Sequence, residues 1–188
     1  MTTDNDSDIS IRREEPKDHQ AVFELIEKAF EKEEMSDHKE QFLVERLRGS
    51  TAFVPELSLV AVDSNQQTIV GHILLIKIQI ISSSDGKHKY GSLALAPVAV
   101  LPGQQGKGIG GKLVRRAHEV AKSLGHTSVI LLGHPTYYPR FGYKPCDEFG
   151  ISLPFEGIPR EACMAIELMP DALKDVEGVV RYPKEFEG

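Results

Sequence analysis

The chain has 188 residues, 40% hydrophobic and 27% charged, the size and balance of one packed domain and too apolar for a disordered chain. Its 28 acidic against 22 basic side chains leave a formal charge of -6, whereas a dedicated nucleic-acid binder needs a lysine and arginine excess to neutralise phosphates. No run of about eighteen apolar residues is present to span a membrane, and two cysteines, Cys146 and Cys163, build neither a disulfide framework nor a four-ligand zinc site, so a reducing cytoplasm is the expected setting.

Residues 1–7 are acidic and polar, carry no secretory signal, and are expected to form a disordered tail ahead of a single domain over 8–188. Residues 9–13 alternate as a short strand. Pro16 suits a first helical turn, and Val22, Phe23, Leu25, Ile26, Ala29 and Phe30 recur at helical spacing. Asp37 with Glu40 three residues on predicts a capping box and a second helix, through Phe42, Leu43, Val44 and Leu47 to a stop at Gly49. The period then changes. Segments 57–63, 68–80 and 89–100 are rich in valine, isoleucine and leucine and are separated by polar turns, which predicts an antiparallel meander. Pro97 lies inside the third segment; proline has no amide to give a ladder, so the strand should bulge or splay there.

A glycine-rich turn over 103–111 leads into a helix from about 109 to 123, with Leu113, Val114, Ala117, Val120, Ala121 and Leu124 on one face and Gly125 at its end. Residues 128–132 are a continuous apolar run, as in a buried strand. Strand, turn, helix and strand together predict a parallel crossover. A proline- and aromatic-rich loop (134–145), two strands at 150–153 and 162–168 and a mixed tail from 170 complete a mixed α/β chain with one sheet.

The turn from Gln104 to Lys112 is the most informative stretch. Glycines packed together at a helix start let successive amides point into one concavity at the positive end of the helix dipole, which is a phosphate-binding arrangement. Three patterns fit in part. Gly106, Gly108 and Gly111 satisfy G-x-G-x-x-G, but the dinucleotide fingerprint also wants an acidic residue about twenty positions on, and the next strand ends Leu131-Leu132-Gly133-His134. Gly106 to Lys112 satisfies G-x-x-x-x-G-K, but Leu113 stands where a nucleotide-binding loop needs a hydroxyl for magnesium. The third pattern, Q/R-x-x-G-x-G/A, is met by Gln105, Gly108 and Gly110.

On that third pattern the chain resembles the GNAT N-acetyltransferases, and other motifs carry the resemblance further. Upstream, Leu95-Ala96-Pro97-Val98-Ala99-Val100-Leu101-Pro102 is similar to the family's bulged fourth strand. Downstream, Tyr137-Tyr138-Pro139-Arg140-Phe141-Gly142-Tyr143 is similar to its F-Y-x-x-x-G-F segment, with tyrosine at both ends. Both lie in the family's order and spacing, and the L-x-P-V-A-V-x-P and Y-Y-x-R-F-G forms resemble bacterial predicted N-acetyltransferases. The resemblance implies a GNAT fold: a mostly antiparallel sheet splayed between its fourth and fifth strands, with the parallel crossover at the cofactor site.

It also implies acetyl-CoA as cosubstrate; no metal is expected, because the seven histidines show no close pair at ligand spacing. The pyrophosphate would sit on the loop at Gln105, Gly106, Lys107, Gly108, Gly110 and Gly111, and the pantetheine arm along backbone groups of Val98 and Val100. Tyr138 matches the family's general acid, a phenol able to donate to the departing thiolate; Tyr137 reads as core. The implied partner is a small-molecule or peptide amine, with a homodimer left open and the acceptor unspecified. A non-catalytic acyl-CoA sensor with the same fold is the alternative. For a general base the candidates are the acidic cluster Glu31, Glu33 and Glu34, which also reads as a solvated face, then His72 on the second meander strand and His134 at the mouth of the buried strand. Cys146 has no evident base partner and reads as a small buried hydrophobe rather than an acetyl-carrying nucleophile.

Overall fold

The computed structural model describes residues 8–34 and 36–187, so the tail expected at 1–7 lies outside the described residues. Nine strands form one sheet, seven of them in the order β1-β2-β3-β4-β5-β8-β6 with β7 and β9 off that path. They are β1 (Ile9–Arg13), β2 (Phe53–Asp63), β3 (Thr68–Ser82), β4 (Lys89–Val100), β5 (Ser128–Leu132), β6 (Lys144–Pro145), β7 (Ile151–Ser152), β8 (Cys163–Glu167) and β9 (Gly178–Arg181). The meander is antiparallel, and β4 with β5 is a parallel pair. β9 pairs with the far end of β3 and, in parallel, with β7.

Helices cover both faces of the middle of β3, so residues 70–76 are buried without alternation, whereas exposed Lys77 and Gln79 alternate with buried Ile78 and Ile80 farther along. Ile73 and Leu75 point toward α3 (Ile109–Ser123) and pack with Leu113, Val114 and Ala117. Leu74, Ile76 and Ile78 point the other way and join Val22, Leu25 and Ile26 of α1 (His19–Phe30) and Val44 and Leu47 of α2 (Glu40–Arg48). The start of α2 differs from the capping-box expectation. The Asp37 carboxylate accepts from the Lys39 amide at 3.0 Å, a local turn that spends the cap before the helix begins at Glu40.

The bulge predicted from Pro97 is present. Ile73 faces Val98, yet Leu75 faces Leu95, so β4 carries one extra residue across Ala96 and Pro97. On its other edge β4 pairs with β5 only at Leu93–Val129 and Ala94–Ile130. Beyond Ala94 the two strands part and leave a wedge-shaped gap that opens toward the glycine turn.

Candidate active site

The wedge is lined by backbone before it is lined by side chains. The Leu101 amide donates to the Val70 carbonyl at 2.9 Å, closing the β3 side of β4. Successive amides along a strand point to opposite sides, so those of Val100 and Val98 face the gap left by β5. The Gln105 side-chain amide folds back onto the Val100 carbonyl at 3.1 Å and ties the turn to the strand.

At the wedge mouth, Gly106 and Gly108 have φ of +76° and +78°, left-handed conformations that a Cβ would strain. Gly108 caps α3 without any side-chain hydrogen bond, and the first backbone bond of the helix runs from the Lys112 amide to the Gly108 carbonyl at 3.1 Å. The amides of Ile109, Gly110 and Gly111 precede that bond and have no intrahelical acceptor, so they point outward at the positive end of the dipole. Lys107 is exposed, with its ammonium on Gln104 Oε1 at 2.9 Å. Gly110 and Gly111 are small for a different reason. A Cβ on Gly110 would stand 2.9 Å from the Tyr137 hydroxyl, and one on Gly111 would stand 3.1 Å from Arg115 and 3.5 Å from the Phe141 ring.

The aromatic segment therefore closes onto the helix start. Tyr137, expected in the core, lies half-buried at its edge with its hydroxyl over Gly110, and Arg140 sits 4.5 Å above its ring. Tyr138 opens a 3-10 turn (Tyr138–Phe141), and its ring is buried against Tyr143, Leu131 and the backbone of Gly133, so closely that Gly133 has no room for a side chain. The Tyr138 hydroxyl takes no hydrogen bond among the described residues and is not fully enclosed. Burial, with the neighbouring Tyr137, pushes its phenol above the ordinary tyrosine range.

The base candidates separate cleanly. His72 is fully buried, paired with Ala99 of β4 across the sheet. Its Nε2 lies 3.0 Å from Ser58 Oγ, which itself donates to Glu14 at 2.6 Å, and Glu14 pairs with Arg48. Because the Ser58 proton goes to Glu14, Ser58 accepts from His72, which places a proton on Nε2. Burial pushes the His72 pKa down, and Nδ1 has no partner among the described residues. Desolvation would raise Glu14, but His72, Arg48 and Ser58 outweigh it and hold the carboxylate well below its usual range. This enclosed network braces the layers.

His134 is different: it follows Gly133 at the mouth of β5, and its Nε2 stands 3.7 Å from Glu33 Oε1 on the α1–α2 connection. Glu31 and Glu34 are exposed to solvent. Cys146 is buried, and its hydrogen bond to Cys163, together with burial, pushes its thiol up, so little thiolate forms. Sequence spacing missed the proximity of Cys146 to Cys163, which follows from the β6–β8 register, and that of Glu33 to His134, which no local pattern encodes.

The bulged strand, the glycine turn on a helix start and the splayed parallel pair all fall within residues 10–146, which match the GNAT acetyltransferase domain. The chain belongs to the GNAT acetyltransferase family. It is 36% identical over 146 residues to the uncharacterised N-acetyltransferase YjhQ of Escherichia coli K12, covering 76% of this chain and 77% of YjhQ. Among solved structures it superposes on the GNAT family N-acetyltransferase YhbS of Escherichia coli in complex with CoA, with TM-score 0.85, 26% identity, and coverage of 100% of this chain and 97% of that one. A GNAT family acetyltransferase from Brucella melitensis in complex with acetyl-CoA gives TM-score 0.76 and 31% identity, covering 95% and 97%. Among the described residues no helix is long and apolar enough to cross a membrane.

Proposed function

We propose that this protein transfers the acetyl group of acetyl-CoA directly to a primary amine. The observation that carries the reading is the continuity of the wedge. The inward amides of Val98 and Val100 run into the outward amides at Gly106–Gly111, and together they form an unbranched row of donors suited to an amide-bearing arm ending in a pyrophosphate. The CoA and acetyl-CoA complexes of the YhbS and Brucella proteins support the same ligand here.

In this reading the backbone at Gln105, Gly106, Lys107, Gly108, Gly110 and Gly111 holds the pyrophosphate. Acetyl-CoA supplies an activated thioester, and the chain supplies position, an oxyanion donor and proton handling. The Val98 amide, fixed by the bulge and free of a ladder partner, is the donor for charge developing on the acyl oxygen. Tyr138 is the donor for the departing sulfur. With its phenol pushed above 10, it stays protonated at neutral pH and works by hydrogen bonding to the thiolate rather than by surrendering its proton outright. Direct transfer is favoured over an acetyl-cysteine relay because the Cys146 thiol is enclosed and raised.

The test pairs binding with turnover. Acetyl-CoA should raise the melting temperature while ATP and NAD do not. CoA release should then depend on an added amine, from a panel of benzylamine, lysine methyl ester, spermidine and a tripeptide with a free N-terminus. Stabilisation by acetyl-CoA without release for any amine overturns the transferase reading in favour of a sensor. Stabilisation by ATP alone overturns the ligand.

A further inference from the structure

Transfer to an amine needs a base. An alkylammonium with the pKa of lysine, about 10.4, is neutral in only on the order of one molecule in 10³ at pH 7, and only the neutral form attacks. We propose that His134 is the group that takes this proton and that Glu33 positions it, an assignment that rests on the transferase reading above.

Three observations converge on the pair. His134 directly follows Gly133, the residue against which the Tyr138 ring packs, and its carbonyl accepts from the Tyr137 amide at 3.1 Å. The acid candidate and the imidazole therefore hang from one short turn at the open end of β5, beyond Leu132, whose side chain is exposed at the wedge lip. Second, the α1–α2 connection reaches across the wedge mouth at this point and brings Glu33 Oε1 to 3.7 Å from His134 Nε2. Third, the imidazole is open to an incoming amine: 66% of the His134 side chain is exposed, against 0% for His72. Arg140, the charged side chain of the same turn, is held on the Tyr137 ring.

The orientation assigns the two nitrogens. Nε2 faces Glu33 and keeps its proton toward the carboxylate; 3.7 Å is an ion-pair separation, closed by a bridging water or a small side-chain rotation. Nδ1 is left with its lone pair for the acceptor. The acceptor ammonium gives one proton to Nδ1, and its nitrogen forms the new bond to the acyl carbon as the carbon–sulfur bond breaks. The sulfur leaves as a thiolate hydrogen-bonded to Tyr138. The second amine proton and the one held on Nδ1 pass to the thiolate and to solvent, which restores the neutral imidazole. Glu33 stabilises the imidazolium formed in between.

The test uses two nucleophiles: the fastest amine of the panel, protonated at neutral pH, and hydroxylamine, neutral at the same pH. His134→Gln should lower kcat/KM for the protonated amine about 10²-fold or more and leave a residual rate that climbs roughly tenfold per pH unit with the neutral fraction of the amine. It should leave hydroxylamine near wild type and acetyl-CoA stabilisation unchanged. Glu33→Gln should lower kcat/KM for the protonated amine, by less than His134→Gln does, and leave hydroxylamine near wild type. Added imidazole should restore part of the amine rate to His134→Gly. Equal loss for both nucleophiles, no loss for either, or no imidazole rescue overturns the assignment. Wild-type protein that releases CoA with neither nucleophile refutes the transferase reading itself, a result distinct from each of those.

Discussion

Removing one oxygen from Tyr138 separates chemistry from packing. The ring is 7% exposed and lies against Tyr143, Leu131 and Gly133, and a phenylalanine keeps all of those contacts. The oxygen that Tyr138→Phe removes has no hydrogen bond among the described residues, so its loss leaves no orphaned partner, and the fold should change by no more than about 0.5 kcal/mol. In the proposed reaction the same oxygen would face a leaving thiolate. A hydrogen bond to a charged group is worth about 1.5–3 kcal/mol, which at about 1.36 kcal/mol per decade is roughly 10- to 150-fold in kcat. The assay is amine-dependent CoA release with saturating acetyl-CoA, alongside melting curves with and without acetyl-CoA. The expected result is a melting temperature and an acetyl-CoA shift equal to wild type with kcat reduced by that factor. An unchanged kcat refutes the donor role. A collapsed melting temperature refutes the packing argument on which the separation depends.

Glu14→Gln leaves the Arg48 guanidinium, 11% exposed, without its anion; this should cost about 3–5 kcal/mol, seen as a melting temperature lower by roughly 6–20 °C, and a change under 2 °C would remove the network as a brace. Gly110→Val places a side chain where the Tyr137 hydroxyl now lies and should weaken acetyl-CoA binding about tenfold or more by calorimetry, while Gly103→Ala, whose Cβ meets nothing, should bind as wild type; equal behaviour of the two contradicts the close-approach reading. Burial lowers His118 from 6.5 to about 4, and His72 moves in the same direction. The unfolded chain therefore takes up protons first, and stability present above pH 6.5 drains away as pH falls toward 4, by about 3 kcal/mol for His118 alone. Urea midpoints at pH 7, 5.5 and 4 should show the decline, and His118→Gln, which keeps a donor for Tyr143, should flatten it; an unaltered slope in the variant would count against His118.

What could be read from the sequence follows from how local each determinant is. Pro97 cannot donate to a ladder wherever it stands, so its bulge was legible, as were β4 at Lys89–Val100 and α3 at Ile109–Ser123, whose ends are written in proline and glycine. The face of His72 was not. Ala61 pairs with Gly71 but Val62 with Ile69, so Val70 is an extra residue, and one inserted residue turns every following side chain to the opposite face. β6 and β9, two and four residues long, owe their existence to partners distant in the chain, Ala165 and Met164 for one and the far end of β3 for the other. Composition in so short a stretch has no period to display.

The same distinction bears on how an acidic chain serves an anionic ligand. Residues 103–112 contain no carboxylate to oppose a pyrophosphate, and they carry Lys107 and Lys112. Arg115 and Arg140, the guanidinium groups stacked beside the glycine turn, lie on the Phe141 and Tyr137 rings. Attraction for the anion then comes from fixed amide dipoles at the α3 N-terminus, which act within the first turn and are independent of net charge. On the proposed reading, a cationic amine entering at the wedge mouth would meet the Glu33 carboxylate beside the His134 imidazole.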